Sequence, residues 1–178
     1  ESETADILAL LLQQDVRLVT LIGPGGVGKT RVALRVAAEA APSFSDRVWF
    51  VNLATTAAPA LVPAAIAHAL GLRDTGSDPL MARLIAFLRR GPGLLLLDNC
   101  EHVIDAGPDA IELLAACPLL KILATSRERL RLSGEATFEV GPLPTPISFP
   151  AKPSPKFATP RRCSSSSHAP GRCSMTLP

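Results

Sequence analysis

The sequence lacks any run of about 18 to 20 consecutive apolar residues, the length that a membrane-spanning helix needs. No basic segment with an apolar stretch and a small-residue cleavage site opens the sequence, so a signal peptide is not expected. We therefore expect a cytoplasmic protein with no membrane contact. The first residue is Glu1 rather than methionine, which suggests a piece of a longer gene product or a processed chain.

Cysteine pairs typical of a metal site are also missing. The four cysteines are Cys100, Cys117, Cys163 and Cys173, with no C-x-x-C pair among them and no histidine at zinc-ligand spacing. This pattern supports neither a zinc site nor a disulfide framework. We interpret the cysteines as ordinary buried or loop thiols, since free cysteine packs as a small apolar residue.

The composition favours a folded domain over a disordered chain. Of the 178 residues, 47% are hydrophobic and 19% are charged, which provides enough apolar material for a core. The net charge of +2 is unevenly distributed, because residues 147–178 hold five basic side chains and no carboxylate. The preceding residues carry 13 basic and 16 acidic side chains, so the expected domain is mildly acidic and the charge gives little support to nucleic-acid binding.

Apolar runs of strand length alternate with helical periodicity up to about Val140, a pattern typical of a parallel α/β sheet. Helices are predicted near residues 7–12, 31–41, 60–70, 79–90 and 108–116. Strands are predicted at 16–22, 47–53, 94–98, 119–125 and 136–140, with Trp49 and Phe50 as core residues of the second. Helical crossovers between five strands predict a doubly wound, mainly parallel sheet within residues 1–146.

A phosphate-binding loop is indicated between the first strand and the helix that follows it. The segment matches G-x-x-x-x-G-K-[ST] and consists of Gly23, Pro24, Gly25, Gly26, Val27, Gly28, Lys29 and Thr30. Glycines let such a loop turn its N–H groups toward a phosphate, and the helix N-terminus adds a favourable dipole. The motif predicts that Lys29 contacts the β- and γ-phosphates and that Thr30 ligates Mg²⁺.

Two other interpretations of this loop remain open from the motif alone. One is a glycine turn that matches by chance, although the strand before it and the helix after it are the context that the motif requires. The other is a dinucleotide fingerprint, since residues 23–28 also fit G-x-G-x-x-G. Lys29, Thr30 and the aspartate that ends the third strand favour a nucleoside triphosphate.

The third predicted strand, LLLLD, ends in Asp98, as expected for an acid near Mg²⁺ at the carboxyl edge of a sheet. The alternative is a turn or helix-capping aspartate. Many ATPases of this architecture have a glutamate at the next position to activate water. Asn99 stands there, and an amide orients water without accepting its proton. We therefore expect slow hydrolysis at most, with Glu101 as a more distant substitute.

The fourth predicted strand ends at Thr125, two residues before Arg127, on the same sheet edge as the glycine loop. Thr125 and Arg127 are predicted to sense the γ-phosphate, with Arg127 supplying catalytic positive charge. The alternative for Arg127 is a solvated surface position, and that interpretation is preferred for Arg129 and Arg131.

Four segments together resemble a known ATPase module: TLIGPGGVGKTRVAL, VWFVNLA, LLLLDNCEHV and LLAACPLLKILATSRERLRLSGE. They occur in the order and spacing of the STAND, NB-ARC-like module of bacterial transcriptional regulators, above all large LuxR-type and antibiotic-pathway regulators. The resemblance covers about residues 1–145. It implies a P-loop NTPase fold that binds ATP or ADP with Mg²⁺ and acts as a switch for a DNA-binding domain elsewhere.

The resemblance also implies roles for individual residues. Phosphate binding falls to the loop 23–30, magnesium coordination to Thr30 and Asp98, and γ-phosphate sensing to Arg127. Self-association that depends on the bound nucleotide is also compatible with the resemblance. The upstream adenine-holding segment, the helical and winged-helix parts with their G-x-P motif, and a helix-turn-helix are not recognisable in this sequence. DNA contact is therefore expected only through a domain outside it.

The composition changes abruptly after residue 146. Residues 147–178 contain six prolines, seven serines and no carboxylate, without regular periodicity, and are predicted to be disordered. Two origins stay open for this tail. One is a native linker rich in proline, serine and arginine. The other is a frameshift near Pro146, because one codon choice for residues 160–178 encodes an apolar-striped helix in a shifted frame. The nucleotide sequence of the gene distinguishes them.

Two functions other than a regulatory module are compatible with these motifs. A small-molecule P-loop kinase would share the loop and its magnesium chemistry, although the sequence has no clear acceptor site and no arginine-rich lid. A fragment that keeps the loop without binding nucleotide is the other. A GTPase is disfavoured, since the sequence contains neither N-K-x-D nor D-x-x-G.

Overall fold

Five parallel strands form the central sheet in the computed structural model, which describes residues 2–72 and 78–141. The strands are β1 (Leu18–Ile22), β2 (Val48–Asn52), β3 (Gly93–Asp98), β4 (Leu120–Ser126) and β5 (Glu135–Glu139). Their order across the sheet is β2-β3-β4-β1-β5, and all neighbouring strands are parallel. The predicted fold class, a doubly wound parallel sheet of five strands, is confirmed.

Helices connect the first four strands, whereas a loop without a helix connects β4 to β5, and each predicted helix is present. They are α1 (Ser2–Leu12), α2 (Lys29–Ala40), α3 (Val62–Ala69), α4 (Leu80–Leu88) and α5 (Gly107–Ala116). Short 3-10 turns occur at 41–44, 59–61, 100–102 and 104–106. The second helix starts two residues before its predicted position, because Lys29 and Thr30 form its first turn. The tail predicted to be disordered, 147–178, lies outside the described residues.

The central strands are buried on both faces, which is why β3 contains four consecutive leucines instead of an alternating pattern. Leu94 and Leu96 face a core shared with α1 and α2, whereas Leu95 and Leu97 face a core shared with α3, α4 and α5. Each fully buried leucine side chain contributes about 1.5–3 kcal/mol to folding. Within the described ranges, no helix has the length and apolarity to cross a lipid bilayer.

The prediction that Phe50 is a core residue is wrong. Its side chain is 43% exposed, because β2 is at the edge of the sheet that the described residues form. Trp49 is half-buried and packs edge-on against Phe87 of α4, with ring centroids 5.7 Å apart. The guanidinium carbon of Arg47 lies 5.2 Å from the Trp49 ring centroid, a cation–π contact that covers this edge of the sheet.

The first helix is fastened to the sheet at both of its ends. The ammonium of Lys121, in β4, donates to three carbonyl oxygens at the end of α1 and just beyond it. These belong to Leu11 (2.7 Å), Gln13 and Val16 (2.8 Å). Burial lowers the pKa of Lys121 below its ordinary value. Near the start of the helix, Glu3 Oε1 accepts a hydrogen bond of 3.2 Å from the Gly141 N–H, just after β5.

One carboxylate organises the loop between β4 and β5. Glu135 Oε1 accepts a hydrogen bond from the N–H of Leu130 at 3.0 Å, and Oε2 accepts from Arg131 at 2.8 Å and Leu132 at 3.4 Å. Arg131 has a left-handed backbone with φ of 59°, which costs about 1–2 kcal/mol for a residue other than glycine. The contacts to Glu135 offset this cost and fix the start of β5.

We expect Glu135→Gln to lower the free energy of unfolding by about 1–3 kcal/mol, because three N–H groups lose their charged acceptor. Urea denaturation followed by circular dichroism measures the change. Glu128→Gln is the matched control, since the Glu128 side chain is exposed in the same loop. Equal stability of the two variants would contradict a structural role for the Glu135 carboxylate.

Candidate functional site

The glycine-rich loop, residues 23–28, leaves β1 and ends at the first turn of α2. Gly26 and Gly28 have φ of 80° and 100°, values that residues with a side chain rarely adopt. Val27 is buried between them and anchors the loop to the core. Gly28 caps the start of α2, where the first N–H groups of a helix have no partner within the helix. The loop therefore offers backbone donors and a helix dipole to an anion.

Lys29 lies in the first turn of α2 and closes the loop. Its Nζ donates to the carbonyl oxygens of Gly23 at 2.8 Å and Pro24 at 3.0 Å. These two contacts hold the ammonium against the start of the loop. Phosphate oxygens are stronger partners for an ammonium than neutral carbonyls, because both groups of such a hydrogen bond are charged.

A cavity of about 270 Å³ opens over the loop. Residues of the loop and the first turn of α2, with Arg31, line one side. Asn99, Glu101 and Arg127, which follow β3 and β4, line the other side. The carboxyl ends of parallel strands are the usual place for a ligand in such sheets, and this cavity lies there.

Asp98, the last residue of β3, is buried, with 6% of its surface exposed. Its Oδ1 accepts hydrogen bonds from Thr30 Oγ1 at 2.8 Å and from Thr125 Oγ1 at 2.6 Å. The structure thus brings together Thr30 and Asp98, the two residues predicted as metal ligands. A hydroxyl and a carboxylate are hard oxygen donors of the kind that Mg²⁺ prefers, so this pair fits a magnesium site.

Thr125 lies near the end of β4, as predicted, but its side chain contacts Asp98. The sequence grouped it with Arg127 as a phosphate sensor, but its side chain is 1% exposed, is not among the residues that line the cavity, and donates a hydrogen bond to Asp98. The Thr125 hydroxyl also accepts the Asn99 N–H at 3.1 Å. Thr125 therefore orients Asp98 and the turn after β3. The register of β3 and β4, with Leu97 opposite Ala124, places Thr125 beside Asp98 and so determines this contact.

Arg127 lies on the rim of the cavity and forms an ion pair that the sequence did not predict. Its Nε donates to Glu101 Oε1 at 3.1 Å, with 64% of the Arg127 side chain exposed against 13% for Glu101. A methyl group added at Gly25 would lie 3.7 Å from the Arg127 guanidinium, which shows that the guanidinium lies over the glycine loop. Arg129 and Arg131 are exposed in the loop that follows.

Two of the four cysteines are within the described residues. Cys100 and Cys117 are free and buried, as predicted. Burial raises the pKa of Cys100 to about 12 and raises that of Cys117 above its ordinary value, so both thiols stay protonated at neutral pH. Among residues 2–72 and 78–141, no group of three or more histidine, cysteine or acidic side chains is placed to hold a metal ion. Cys163 and Cys173 lie outside the described residues.

Comparison with protein families identifies the domain. A family model described as an AAA domain matches residues 13–135, which is more than half of the chain. The chain belongs to the AAA-domain family. It is an AAA-type P-loop ATPase domain, and the matched residues include the glycine loop, Asp98 and Arg127.

Two relatives of this AAA domain are named as regulators. A protein of Mycobacterium tuberculosis named as an HTH-type transcriptional regulator is 47% identical over 133 residues, covering 74% of this chain and 15% of that protein. The regulatory protein AfsR of Streptomyces griseus is 35% identical over 116 residues, covering 61% of this chain and 12% of that protein. The chain therefore spans 15% or less of the length of these two relatives.

A solved structure supports the fold. Cdc6p from Pyrobaculum aerophilum superposes on this AAA domain with a TM-score of 0.55 and 17% sequence identity, covering 79% of this chain and 45% of that one. At this identity the likeness concerns the fold alone. It agrees with a parallel five-stranded sheet flanked by helices, as in AAA-type P-loop ATPases.

Two buried threonines give opposite predictions for the same substitution. Thr125→Val removes the donor to Asp98 and the acceptor of the Asn99 N–H, so we expect the free energy of unfolding to fall by about 1–3 kcal/mol. Thr20 Oγ1 is buried in β1 without a hydrogen-bond partner among the described residues. Thr20→Val should therefore raise the free energy of unfolding by about 1 kcal/mol. Urea denaturation of both variants measures the difference, and equal losses would contradict the assigned hydrogen bonds.

Proposed function

We propose that residues 1–146 form an ATP- and ADP-binding, magnesium-dependent switch domain of a transcriptional regulator, of the STAND, NB-ARC-like type. The observation that carries the proposal is the hydrogen bond of 2.8 Å between Thr30 Oγ1 and Asp98 Oδ1 beneath the glycine loop. It joins Thr30, the last residue of the phosphate-binding motif, to Asp98, the last residue of β3. Phosphate-binding and metal-binding groups thus lie at one sheet edge, as nucleoside triphosphate chemistry requires.

The phosphates of the nucleotide bind in the loop. Backbone N–H groups and the N-terminus of α2 contact the phosphate oxygens, and Lys29 exchanges its two carbonyl partners for the β- and γ-phosphates. The phosphate-binding residues are Gly23, Pro24, Gly25, Gly26, Val27, Gly28, Lys29 and Thr30. A second cavity, of about 650 Å³, adjoins the start of the loop and the end of β5, and it offers space for the nucleoside.

Thr30 and Asp98 would hold the magnesium ion that accompanies the phosphates. Both oxygens have lone pairs available for a metal once the Thr30 hydroxyl turns its proton away from Asp98. Thr125 keeps its hydrogen bond of 2.6 Å to Asp98 and so holds the carboxylate in place.

Hydrolysis by this site is slow at most. Asn99 has φ of 65°, a left-handed conformation that asparagine adopts more readily than glutamate does. Its amide orients water but accepts no proton from it. Arg127 contacts the γ-phosphate and supplies positive charge to it. Such a site holds ATP long enough for the bound state to act as a signal.

The nucleotide state is passed on to other parts of a larger cytoplasmic regulator of the LuxR or antibiotic-pathway type. Homology to two proteins named as regulators supports this role, since this domain matches 15% and 12% of their length. DNA contact belongs to a domain outside residues 1–178. Self-association of the regulator in one nucleotide state is part of the proposal.

Thermal unfolding with and without Mg-ATP tests nucleotide binding through this loop. A ligand at 100 times its Kd stabilises a protein by about 2.7 kcal/mol, which raises the melting temperature of a domain of this size by about 5–10 °C. We expect this rise in the wild type. Lys29→Ala should lose it, because the positive charge that faces the phosphates is removed.

Arg35→Ala is the matched control for this experiment. Arg35 also lies in α2, its side chain is 59% exposed, and it pairs with Glu39 on the helix surface. This variant should keep the full rise, and both variants should unfold cooperatively without nucleotide. A wild-type protein with the same melting temperature with and without saturating Mg-ATP would contradict the proposed function.

A further inference from the structure

The carboxylate of Glu101 is buried at the rim of the loop cavity and incompletely paired. Its Oε1 accepts the hydrogen bond of 3.1 Å from Arg127 Nε, and 13% of its side chain is exposed. Its Oε2 is fully buried and has no hydrogen-bond partner in the part of the chain that the structure describes. A buried carboxylate without donors is costly, and the charge of Arg127 offsets part of this cost.

Glu101 is held in place, whereas Arg127 can move. The 3-10 turn that carries Glu101 begins at the buried Cys100 and is followed by the buried Val103, whose N–H donates to the Cys100 carbonyl at 3.0 Å. Arg127 follows the end of β4 with 64% of its side chain exposed. Its guanidinium also lies close to Gly25 of the loop. A small rotation of the Arg127 side chain would therefore exchange Glu101 for a group bound in the loop.

We propose that Glu101 competes with the terminal phosphate of ATP for Arg127 and thereby lowers the preference of this domain for ATP over ADP. This inference rests on the proposed function. When Arg127 turns to the γ-phosphate, the Glu101 carboxylate stays buried without its cation, and this cost is subtracted from the binding of ATP. ADP has no γ-phosphate, so the ion pair persists and Glu101 does not affect ADP binding.

Two other roles for Glu101 predict different results. A carboxylate that simply repels the γ-phosphate weakens ATP binding whether or not Arg127 is present. A carboxylate that accepts the proton of the attacking water affects hydrolysis and leaves the ratio of the ATP and ADP dissociation constants unchanged. Competition for Arg127 instead requires that the effect of Glu101 vanish when Arg127 is removed, which a double-mutant cycle measures.

Isothermal titration calorimetry of the whole chain with Mg-ADP and with the magnesium complex of the β,γ-imido analogue of ATP tests the inference. Glu101→Gln should tighten binding of the ATP analogue by about threefold to tenfold, the range of a partly exposed ion pair or charged hydrogen bond. Binding of ADP should change by less than about twofold, as for any site outside the contacts of a ligand. Arg127→Ala should weaken the analogue, and adding Glu101→Gln to it should have no further effect.

Glu128→Gln is the control for the loss of one negative charge, since Glu128 is exposed near Arg127, and it should leave both affinities unchanged. Melting curves check that each variant folds, and Glu101→Ala replaces Glu101→Gln if the amide proves unstable at this position. An unchanged ratio of the two dissociation constants overturns the inference, as does a shift that persists in the Arg127→Ala background. A wild type that binds neither nucleotide overturns the proposed function itself, and this inference with it.

Discussion

The two hydrogen bonds that meet at Asp98 Oδ1 connect three separate parts of the chain. They join the end of β3 to the first turn of α2 through Thr30 and to the end of β4 through Thr125. The strand order β3-β4-β1 allows these two hydrogen bonds, because the carboxyl ends of neighbouring parallel strands lie at the same edge of the sheet. A shift of β3 by one residue would turn Asp98 to the opposite face and break both bonds. The site therefore depends on strand register before it depends on any ligand.

The regular elements could be predicted because their physical causes are local. Each strand lies within about two residues of its predicted position, since buried parallel strands are short apolar runs bounded by turn residues. The contact between Thr30 and Asp98 could also be anticipated. Asp98 ends β3, and Thr30 lies in the first turn of α2 after the loop that leaves β1, so both groups were expected at the edge of the sheet where parallel strands end.

Contacts that depend on register or on irregular backbone could not be predicted in the same way. The role of Thr125 depends on which side chain of β3 lies beside it, and its own sequence carries no such signal. The pairing of Glu101 with Arg127 depends on the left-handed Asn99 and the 3-10 turn after it. The exposure of Phe50 depends on β2 being at the edge of the sheet, which an apolar strand sequence does not specify.

The groups that face the glycine loop are already paired within the protein. Lys29 has the carbonyl oxygens of Gly23 and Pro24, Thr30 has Asp98, and Arg127 has Glu101. Ligand binding here is therefore an exchange of partners. Its affinity is the difference in free energy between the hydrogen bonds that form to the ligand and the internal hydrogen bonds that break.

This exchange is unequal across the site. Lys29 gives up neutral carbonyls for charged oxygens, which is the more favourable exchange, whereas Arg127 gives up one carboxylate for another anion and benefits less. In the proposed function, Lys29 and the loop backbone bind the phosphates that ATP and ADP share, and the exchange at Arg127 sets how much affinity the terminal phosphate adds. The groups proposed to hold the nucleotide are therefore different from the group proposed to distinguish ATP from ADP.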